Sequence, residues 1–278
     1  MSTDPPIVDT HAHIFTRDMP TAATAWLTPE YSFTAEQYLE VLDQHGVHFG
    51  VIAGISIYGL YNDYMIEELR KHKRLRGTAN VSTTTDRYTL ERMKADGIVG
   101  VRLQLTRRRE LPDLRSEEYR LLFRRLADLD MHVQAIVEGP HWPQVLPPLE
   151  ASGVKIVIDH FGHPDPQAGV NCAGFQALLR CVERGRTWVK LSGGYRLTWA
   201  PGGQARRDAA SVVLARDLAQ ALVRNAGVER LLWGSDCPFV GYEPSMSFGA
   251  TVAELEDWIP DARQRRKLSD TALKLYFS

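Results

Sequence analysis

Eight short apolar segments recur along this chain, and most are followed by an amphipathic segment. They lie at residues 7–15, 49–55, 75–81, 98–105, 132–137, 155–161, 187–191 and 230–234. Continuous apolar runs of this length are typical of parallel strands that are buried on both faces and connected by helices. Eight such units predict a single (β/α)8 barrel spanning residues 1–278. A doubly wound sheet is the alternative, but no glycine-rich phosphate turn follows the first strand.

The amphipathic segments carry helix signals of differing clarity. Thr34 and Gln37 form a capping-box pattern ahead of an apolar stripe, and Gly46 marks the end of that helix. Further helices are predicted at about residues 62–72, 86–95, 116–129, 174–183 and 205–225. Residues 141–152 contain Pro143, Pro147 and Pro148, so a helix there is expected to be short or broken.

Composition excludes several classes of function. The 33 basic and 34 acidic side chains create no overall field that would attract nucleic acid or a membrane surface. The three cysteines form no CxxC pair and are expected to be free thiols in a reducing compartment. Because neither a signal peptide nor an 18-residue apolar run is found, a cytoplasmic location is expected. The oligomeric state stays open.

Titratable residues stand at the ends of three of the apolar runs. His11 and His13 close the first run, His160 the sixth and Asp236 the eighth. Because barrel enzymes carry their chemistry at the C-terminal ends of the strands, these four side chains are expected to share one mouth. Asp236 is the predicted general base for an attacking water, and the imidazoles are predicted to stabilise the oxyanion that forms. Cys237 is interpreted as a packing residue.

Basic and polar residues near the same ends predict an anionic substrate. Arg102 alternates with Val101 and Leu103, which places it with Gln104 on the barrel interior. An unpaired buried charge costs several kcal/mol, so Arg102 is expected to meet a carboxylate of the protein or of the substrate. Further predicted substrate contacts are Arg196 and Arg107 from the loop triplet Arg107-Arg108-Arg109, together with the hydrogen-bonding side chains of Ser56, Tyr58, Tyr195 and Asn62. For the arginine triplet a merely solvated charged surface is an equal alternative.

The motifs that carry these residues resemble those of the amidohydrolase superfamily. They are Val8-Asp9-Thr10-His11-Ala12-His13, Ile158-Asp159-His160-Phe161-Gly162 and Trp233-Gly234-Ser235-Asp236-Cys237-Pro238. With Val101-Arg102-Leu103-Gln104 and Lys190-Leu191-Ser192-Gly193, the chain is most similar to the branch of 2-pyrone-4,6-dicarboxylate lactonases, which also holds sugar-acid lactonases and isomerases. The resemblance implies a distorted (β/α)8 barrel.

The chain departs from metal-dependent members of that superfamily. Those members add a ligand from the fourth or fifth strand, where this chain has Arg102, Gln134 and Glu138. A guanidinium opposes a divalent ion, and a neutral amide is a poor zinc ligand. The resemblance to the lactonase branch also implies hydrolysis without an obligatory metal. No cofactor is therefore expected to be required, although His11, His13, His160 and Asp236 form an alternative zinc site.

The leading hypothesis is a lactonase that opens a small carboxylated lactone through water activated by Asp236. Three alternatives stay open: a mononuclear zinc hydrolase or decarboxylase, a lactone isomerase on the same scaffold, and a barrel that only binds an organic acid.

Overall fold

The computed structural model describes residues 5–198 and 208–278. Its centre is a sheet of eight parallel strands whose spatial order follows the chain order. The strands are β1 Val8–Ala12, β2 Phe49–Ala53, β3 Leu75–Ala79, β4 Ile98–Gln104, β5 His132–Ile136, β6 Lys155–Ile158, β7 Thr187–Leu191 and β8 Leu231–Trp233. The His13 N–H donates to Cys237 O at 2.8 Å, and the Asp236 N–H donates to His11 O at 2.7 Å. These bonds join the first strand to the end of the last, so the predicted (β/α)8 barrel is confirmed.

Helices surround the barrel and close one of its ends. They are α1 Ala35–Gln44, α2 Asp63–Lys71, α3 Arg87–Ala95, α4 Glu117–Asp128, α5 Trp142–Ala151, α6 Ala173–Glu183, α7 Ala209–Ala226, α8 Phe248–Trp258 and α9 Ala262–Tyr276. In α9, the Ser269 hydroxyl accepts from the Ile7 N–H at 3.1 Å, just before β1 begins. Tyr276 packs with Val8 and Val51 in one apolar cluster. Because α9 covers the N-terminal ends of the strands, the opposite end is left for the site. Within the described residues, no helix has the length and apolar character needed to span a membrane.

The predicted capping box is present at the start of α1. The Thr34 hydroxyl accepts from the Gln37 N–H at 3.3 Å, and the Gln37 side chain accepts from the Thr34 N–H at 2.8 Å. The helix ends at Gln44, and Gly46 follows with a φ of 70°, a conformation that glycine adopts without steric cost. The capping box at the start and the glycine after the end therefore bound this helix, as predicted.

The prediction of a short or broken helix at residues 141–152 is wrong. The segment forms a ten-residue helix, α5, that contains Pro147 and Pro148. These prolines have no N–H to donate to the carbonyls one turn earlier, which weakens the helix locally. Burial compensates for that loss, because Trp142, Val145 and Leu149 are each at most 1% exposed. Tertiary packing here overrides the unfavourable propensity.

Strand boundaries differ from the predicted ones mainly at the C-terminal ends. The sixth strand ends at Ile158 rather than at residue 161, because His160 and Phe161 have positive φ values of 50° and 57°. The eighth ends at Trp233, ahead of Asp236 with a φ of 64°. The seventh helix begins at Ala209, and residues 205–207 of its predicted range lie outside the described residues. Departure from the extended conformation turns His160 and Asp236 from the strand direction into the barrel mouth.

One close approach sets the distance between the first and last strands. A Cβ atom added to Gly234 would lie 2.5 Å from the Cβ of His11, which is too close for any larger residue to fit without displacement. The absence of a side chain at position 234 therefore lets β1 and the end of β8 meet.

A buried histidine below the barrel predicts loss of stability in acid. His132 is 1% exposed and packs edge-on against Tyr276, with ring centroids 5.3 Å apart. Burial lowers the pKa of His132 from 6.5 to about 3, so between these pH values the unfolded chain binds a proton that the folded chain does not. The contribution of His132 to the free energy of unfolding is therefore fully present above pH 6.5 and is lost as the pH falls towards 3. Acidification from pH 7 to 5 should cost about 2 kcal/mol from His132.

Urea unfolding of the wild type and of His132→Gln at both pH values measures this contribution. The variant should lose about 2 kcal/mol less than the wild type between pH 7 and 5. His48→Gln is the matched control, since His48 is exposed. An equal loss in the wild type and in His132→Gln would contradict the assignment.

Candidate active site

A cavity of about 470 Å³ opens at the C-terminal ends of the strands. Eight of the predicted catalytic and substrate-binding residues line it: His13, Ser56, Arg102, Gln104, Arg107, His160, Arg196 and Asp236. They come from β4 and from the segments that follow β1, β2, β4, β6, β7 and β8. The fold therefore brings residues from both ends of the chain to one mouth.

Four other predicted site residues lie elsewhere. His11 is fully buried beneath the cavity, where its ring contacts that of His13 at a centroid distance of 5.0 Å. Tyr195, 1% exposed, supports Asp236 from behind. Tyr58 packs near Phe15 with a centroid distance of 5.9 Å and is not part of the cavity wall. Asn62 accepts from the Asn80 N–H at 3.2 Å, which makes it a loop anchor rather than a cavity residue.

Three imidazoles face one oxygen of Asp236. Its Oδ1 lies 3.4 Å from Nε2 of His13, 3.6 Å from Nε2 of His11 and 3.9 Å from Nε2 of His160. The other oxygen, Oδ2, accepts from the Tyr195 hydroxyl at 2.7 Å and from Arg196 Nη1 at 3.3 Å. The carboxylate thus has one oxygen held by the protein and one directed at the histidines.

Burial alone would raise the pKa of Asp236, but neighbouring groups outweigh it. The nearby imidazoles of His160 and His13 and the guanidinium of Arg196 hold the pKa of Asp236 well below its usual range. Asp236 is therefore ionised at neutral pH.

Hydrogen bonds at Nδ1 fix the orientation of the histidines. His13 Nδ1 donates to Ala53 O at 2.7 Å, because a carbonyl oxygen only accepts. His160 Nδ1 lies 2.9 Å from the Ser192 hydroxyl. Burial lowers the pKa of His160 to about 4 and holds that of His11 well below its usual range. His11 and His160 are therefore neutral at physiological pH.

A second carboxylate, Asp159, lies under the histidines. Its Oδ2 accepts from Nε of Arg102 at 2.9 Å and lies at the same distance from Arg102 Nη2. Gln134 Nε2 also donates to Oδ2 at 3.0 Å, and His11 Nδ1 lies 3.2 Å from Oδ1. Burial alone would raise the pKa of Asp159, but the charge of Arg102, the adjacent imidazole of His11 and the charge of Lys190 hold it well below the usual range. The carboxylate expected for Arg102 is thus provided by the protein.

Lys190 completes this buried network from β7. It is 0% exposed, and its Nζ donates to Thr10 O at 2.7 Å and to Gln134 Oε1 at 2.9 Å. Nζ also lies 3.7 Å from Asp159 Oδ1. Burial lowers the pKa of Lys190 to about 8. Two buried cations, Arg102 and Lys190, therefore share one carboxylate.

Asp9 ties the first strand to the loop that carries Asp236. It accepts from the Ser235 N–H at 2.8 Å, the Ser235 hydroxyl at 2.6 Å and the Tyr38 hydroxyl at 2.9 Å. Burial raises its pKa to about 6. This anchor fixes the position of Asp236 relative to His11 and His13.

The outer wall combines an aromatic ring with polar groups. The Arg107 guanidinium stacks 4.0 Å over the ring of Trp26, and the Arg107 N–H donates to Glu138 Oε1 at 2.8 Å. Gln104 Nε2 donates to Gly54 O at 3.0 Å, and the Ser56 hydroxyl accepts from Trp26 Nε1 at 3.3 Å.

Cys237 has the environment of a packing residue. It is 3% exposed, and burial raises its pKa well above the usual range, so it is a protonated thiol rather than a nucleophilic thiolate.

The donor atoms at the centre of the site fit a divalent metal ion. Ligand atoms of His11, His13 and Asp236 lie within 4.8 Å of one another, and the buried Nε2 of His11 has no hydrogen-bond partner. Two imidazoles and one carboxylate suit a catalytic zinc, which keeps an open position for water. Asp159 is not part of this group, and its Oδ2 is bound to Arg102 and Gln134.

Sequence reasoning missed Asp159, Lys190 and Asp9. Lys190 stands inside the apolar run Trp188-Val189-Lys190-Leu191, and Asp159 directly follows another such run. A charged residue inside an apolar run, or directly after one, predicts a buried ion pair. The same argument that predicts a carboxylate partner for Arg102 also identifies Lys190 and Asp159 as candidates.

A comparison with protein families agrees with this arrangement. A family model described as Amidohydrolase matches residues 8–277. The chain belongs to the amidohydrolase family. The superfamily expected from the strand-end motifs is therefore confirmed.

Similar amidohydrolases include named lactone hydrolases. The 2-pyrone-4,6-dicarboxylate hydrolase of Comamonas testosteroni is 27% identical and covers 97% of this chain and 90% of its own length. The 4-sulfomuconolactone hydrolase of Rhizobium radiobacter is 28% identical, covering 96% of this chain and 89% of the relative. A crystal structure from Pseudomonas putida, of a candidate 2-pyrone-4,6-dicarboxylic acid hydrolase, has a TM-score of 0.88 at 35% identity over 98% of this chain and 97% of the other.

The shared carboxylate predicts a large effect of substitution at position 159. Asp159→Asn would leave Arg102 and Lys190 buried without a counter-charge, and the free energy of unfolding should fall by about 3–5 kcal/mol. Combining Asp159→Asn with Lys190→Met removes one of those cations and should recover part of the loss. Urea unfolding at pH 7 measures both effects. A single variant within 1 kcal/mol of the wild type would show that the network does not depend on this carboxylate.

Proposed function

We propose that this amidohydrolase opens a carboxylated lactone by adding water activated by Asp236. The observation that carries the proposal is the setting of Asp236. Its Oδ1 is surrounded by three imidazoles at a cavity whose wall carries guanidinium groups. The named activities of the similar proteins from Comamonas testosteroni and Rhizobium radiobacter support a cyclic ester as the substrate.

Asp236 would act through Oδ1, since Oδ2 is held by Tyr195 and Arg196. Its lowered pKa keeps it ionised, so it can accept a proton from water as the water oxygen bonds to the lactone carbonyl carbon. The ring C–O bond then breaks, and the proton passes from Asp236 to the departing ring oxygen. The product carries one new carboxylic acid, which releases its proton to solvent at neutral pH, and one hydroxyl or enol.

The carbonyl oxygen gains negative charge as water adds, and a neutral imidazole can stabilise it by donating a hydrogen bond. When the Ser192 hydroxyl donates to His160 Nδ1, the His160 proton resides on Nε2, the atom that faces Asp236. One such donor contributes about 3 kcal/mol to lowering the barrier.

The carboxylate of the substrate would bind at the guanidinium-bearing wall. Arg107 lies on that wall, and its stacking on Trp26 holds the guanidinium plane in one orientation. Arg196 lines the same cavity. Planar guanidinium groups bind carboxylates through paired hydrogen bonds, which orients the lactone ring.

We further propose that this reaction requires no metal. Asp236 already has a cationic partner in Arg196 at 3.3 Å, and Arg102 and Lys190 lie in the network beneath. A divalent ion would therefore compete with Arg196 for the Asp236 carboxylate. The zinc alternative rests on the unpartnered Nε2 of His11. An ion held by His11, His13 and Asp236 would polarise the carbonyl and lower the pKa of water.

Substitution of the proposed base tests the mechanism. Asp236→Asn should lower kcat for carboxylated lactones by about 10²–10⁴-fold, because the amide cannot accept the proton from water. Tyr195→Phe removes only one hydrogen bond to Oδ2 and should cost far less. Mass spectrometry of the product distinguishes hydrolysis, which adds one water, from isomerisation. Wild-type turnover by Asp236→Asn would overturn the role of this carboxylate.

Metal content separates the two forms of the mechanism. Protein purified without chelator should contain far less than one zinc per chain, and dialysis against a chelator should leave kcat/KM unchanged. Elemental analysis and steady-state kinetics on the same sample provide the answer. Near-stoichiometric zinc together with chelator-sensitive turnover, restored by added zinc, would establish the zinc hydrolase instead.

A further inference from the structure

The charges around the cavity are balanced rather than uniformly positive. Among the residues that the structure describes, three guanidinium groups line the wall, those of Arg102, Arg107 and Arg196. Glu138 and Asp236 line the same wall. Asp159, directly bonded to Arg102, adds a third carboxylate beneath it. The sequence had suggested an arginine-lined cup, but these three carboxylates offset the three guanidinium groups, and Lys190 adds one further positive charge only in the buried network beneath.

Two of the arginines are already bound to carboxylates of the protein. Arg102 donates to Asp159 at 2.9 Å, and Arg196 donates to Asp236 at 3.3 Å. Their positive charge is therefore partly neutralised by Asp159 and by Asp236, the proposed base. A substrate with two carboxylates would have to bind where little net positive charge remains.

Glu138 lies on the wall where the carboxylate of a substrate would bind. It follows β5 by two residues, and the last residue of β5, Ile136, pairs with Gln104 of β4. Its Oε1 accepts from the Arg107 N–H at 2.8 Å, so its negative charge is held beside the loop that carries Arg107. The side chain is half-buried and faces the cavity. A like charge brought to this wall would be repelled, and the partly desolvated setting strengthens that repulsion.

Resting on the proposed hydrolysis of lactones, we propose that the substrate carries a single carboxylate and that Glu138 is the residue that discriminates against a second one. At the ring position facing Glu138, a neutral donor such as a hydroxyl would form a hydrogen bond with the carboxylate, whereas an anionic group would not. Substrate specificity would then depend on the repulsion between Glu138 and a second carboxylate as much as on the attraction between the guanidinium groups and the first. The preference would differ from that implied by the name of the Comamonas testosteroni relative, a dicarboxylate hydrolase.

Two lactones that differ by one carboxylate, 2-pyrone-6-carboxylate and 2-pyrone-4,6-dicarboxylate, test the proposal. The wild type should have the larger kcat/KM for the monocarboxylate. Glu138→Gln removes the charge but keeps an oxygen that can accept from the Arg107 N–H. It should raise the ratio of dicarboxylate to monocarboxylate kcat/KM about tenfold. Glu110→Gln is the matched control, because Glu110 is an exposed carboxylate in the same loop as Arg107 that does not line the cavity.

Binding measurements separate this proposal from the proposed reaction. If the wild type hydrolyses neither pyrone, calorimetric Kd values for the two compounds with the wild type and Glu138→Gln still report the preference. A tenfold shift of the Kd ratio in Glu138→Gln alone would support the role of Glu138 even though hydrolysis had failed. The proposal is overturned by a wild-type preference for the dicarboxylate, by an unchanged ratio in Glu138→Gln, by an equal shift in Glu110→Gln, or by the absence of binding of both compounds.

Discussion

The site depends on a single buried carboxylate, Asp159, that receives side chains from four strands. Arg102 reaches it from β4, Gln134 from β5, Lys190 from β7 and His11 from β1. Ion pairs in a poorly hydrated interior are stable only when each charge is matched and hydrogen-bonded. The network places two cations and two neutral groups around one anion, so Asp159 is the shared counter-charge on which both Arg102 and Lys190 depend. Because His11 Nδ1 is held by Asp159, its other nitrogen is directed towards Asp236.

This arrangement gives the two aspartates of the site different tasks. Asp159 lies below the histidines with no exposed surface, while Asp236 lies beside the cavity with one oxygen facing the imidazoles. The chain after β8 provides that orientation, because the positive φ of Asp236 turns it out of the strand direction. Asp9 keeps the turn in register with β1 through its bonds to Ser235. Asp159 therefore supports the site from below, and Asp236 is the proposed base.

Much of the fold was predictable because its signals are local. The apolar runs gave all eight strands, and Thr34 with Gln37 gave the start of α1. The helix α5 was not predictable, since the unfavourable Pro147 and Pro148 are offset by tertiary burial of Trp142 and its neighbours. Strand alternation placed Arg102 inside the barrel, but it could not show which carboxylate Arg102 meets. Tyr58 was misplaced because the turn Ser56–Tyr58 after β2 directs it into a satellite cluster with Phe15 and Ile57.

The central claim is that the histidine and aspartate cluster acts on a lactone without a metal ion. A crystal structure of the wild-type protein, purified without chelator and bound to a ring-opened product, tests it most directly. The account predicts that the newly formed carboxylate lies within hydrogen-bond distance of His160 and beside Asp236, with no anomalous peak at the zinc edge. An ion coordinated by His11 and His13, or a product whose new carboxylate lies away from Asp236, would contradict it.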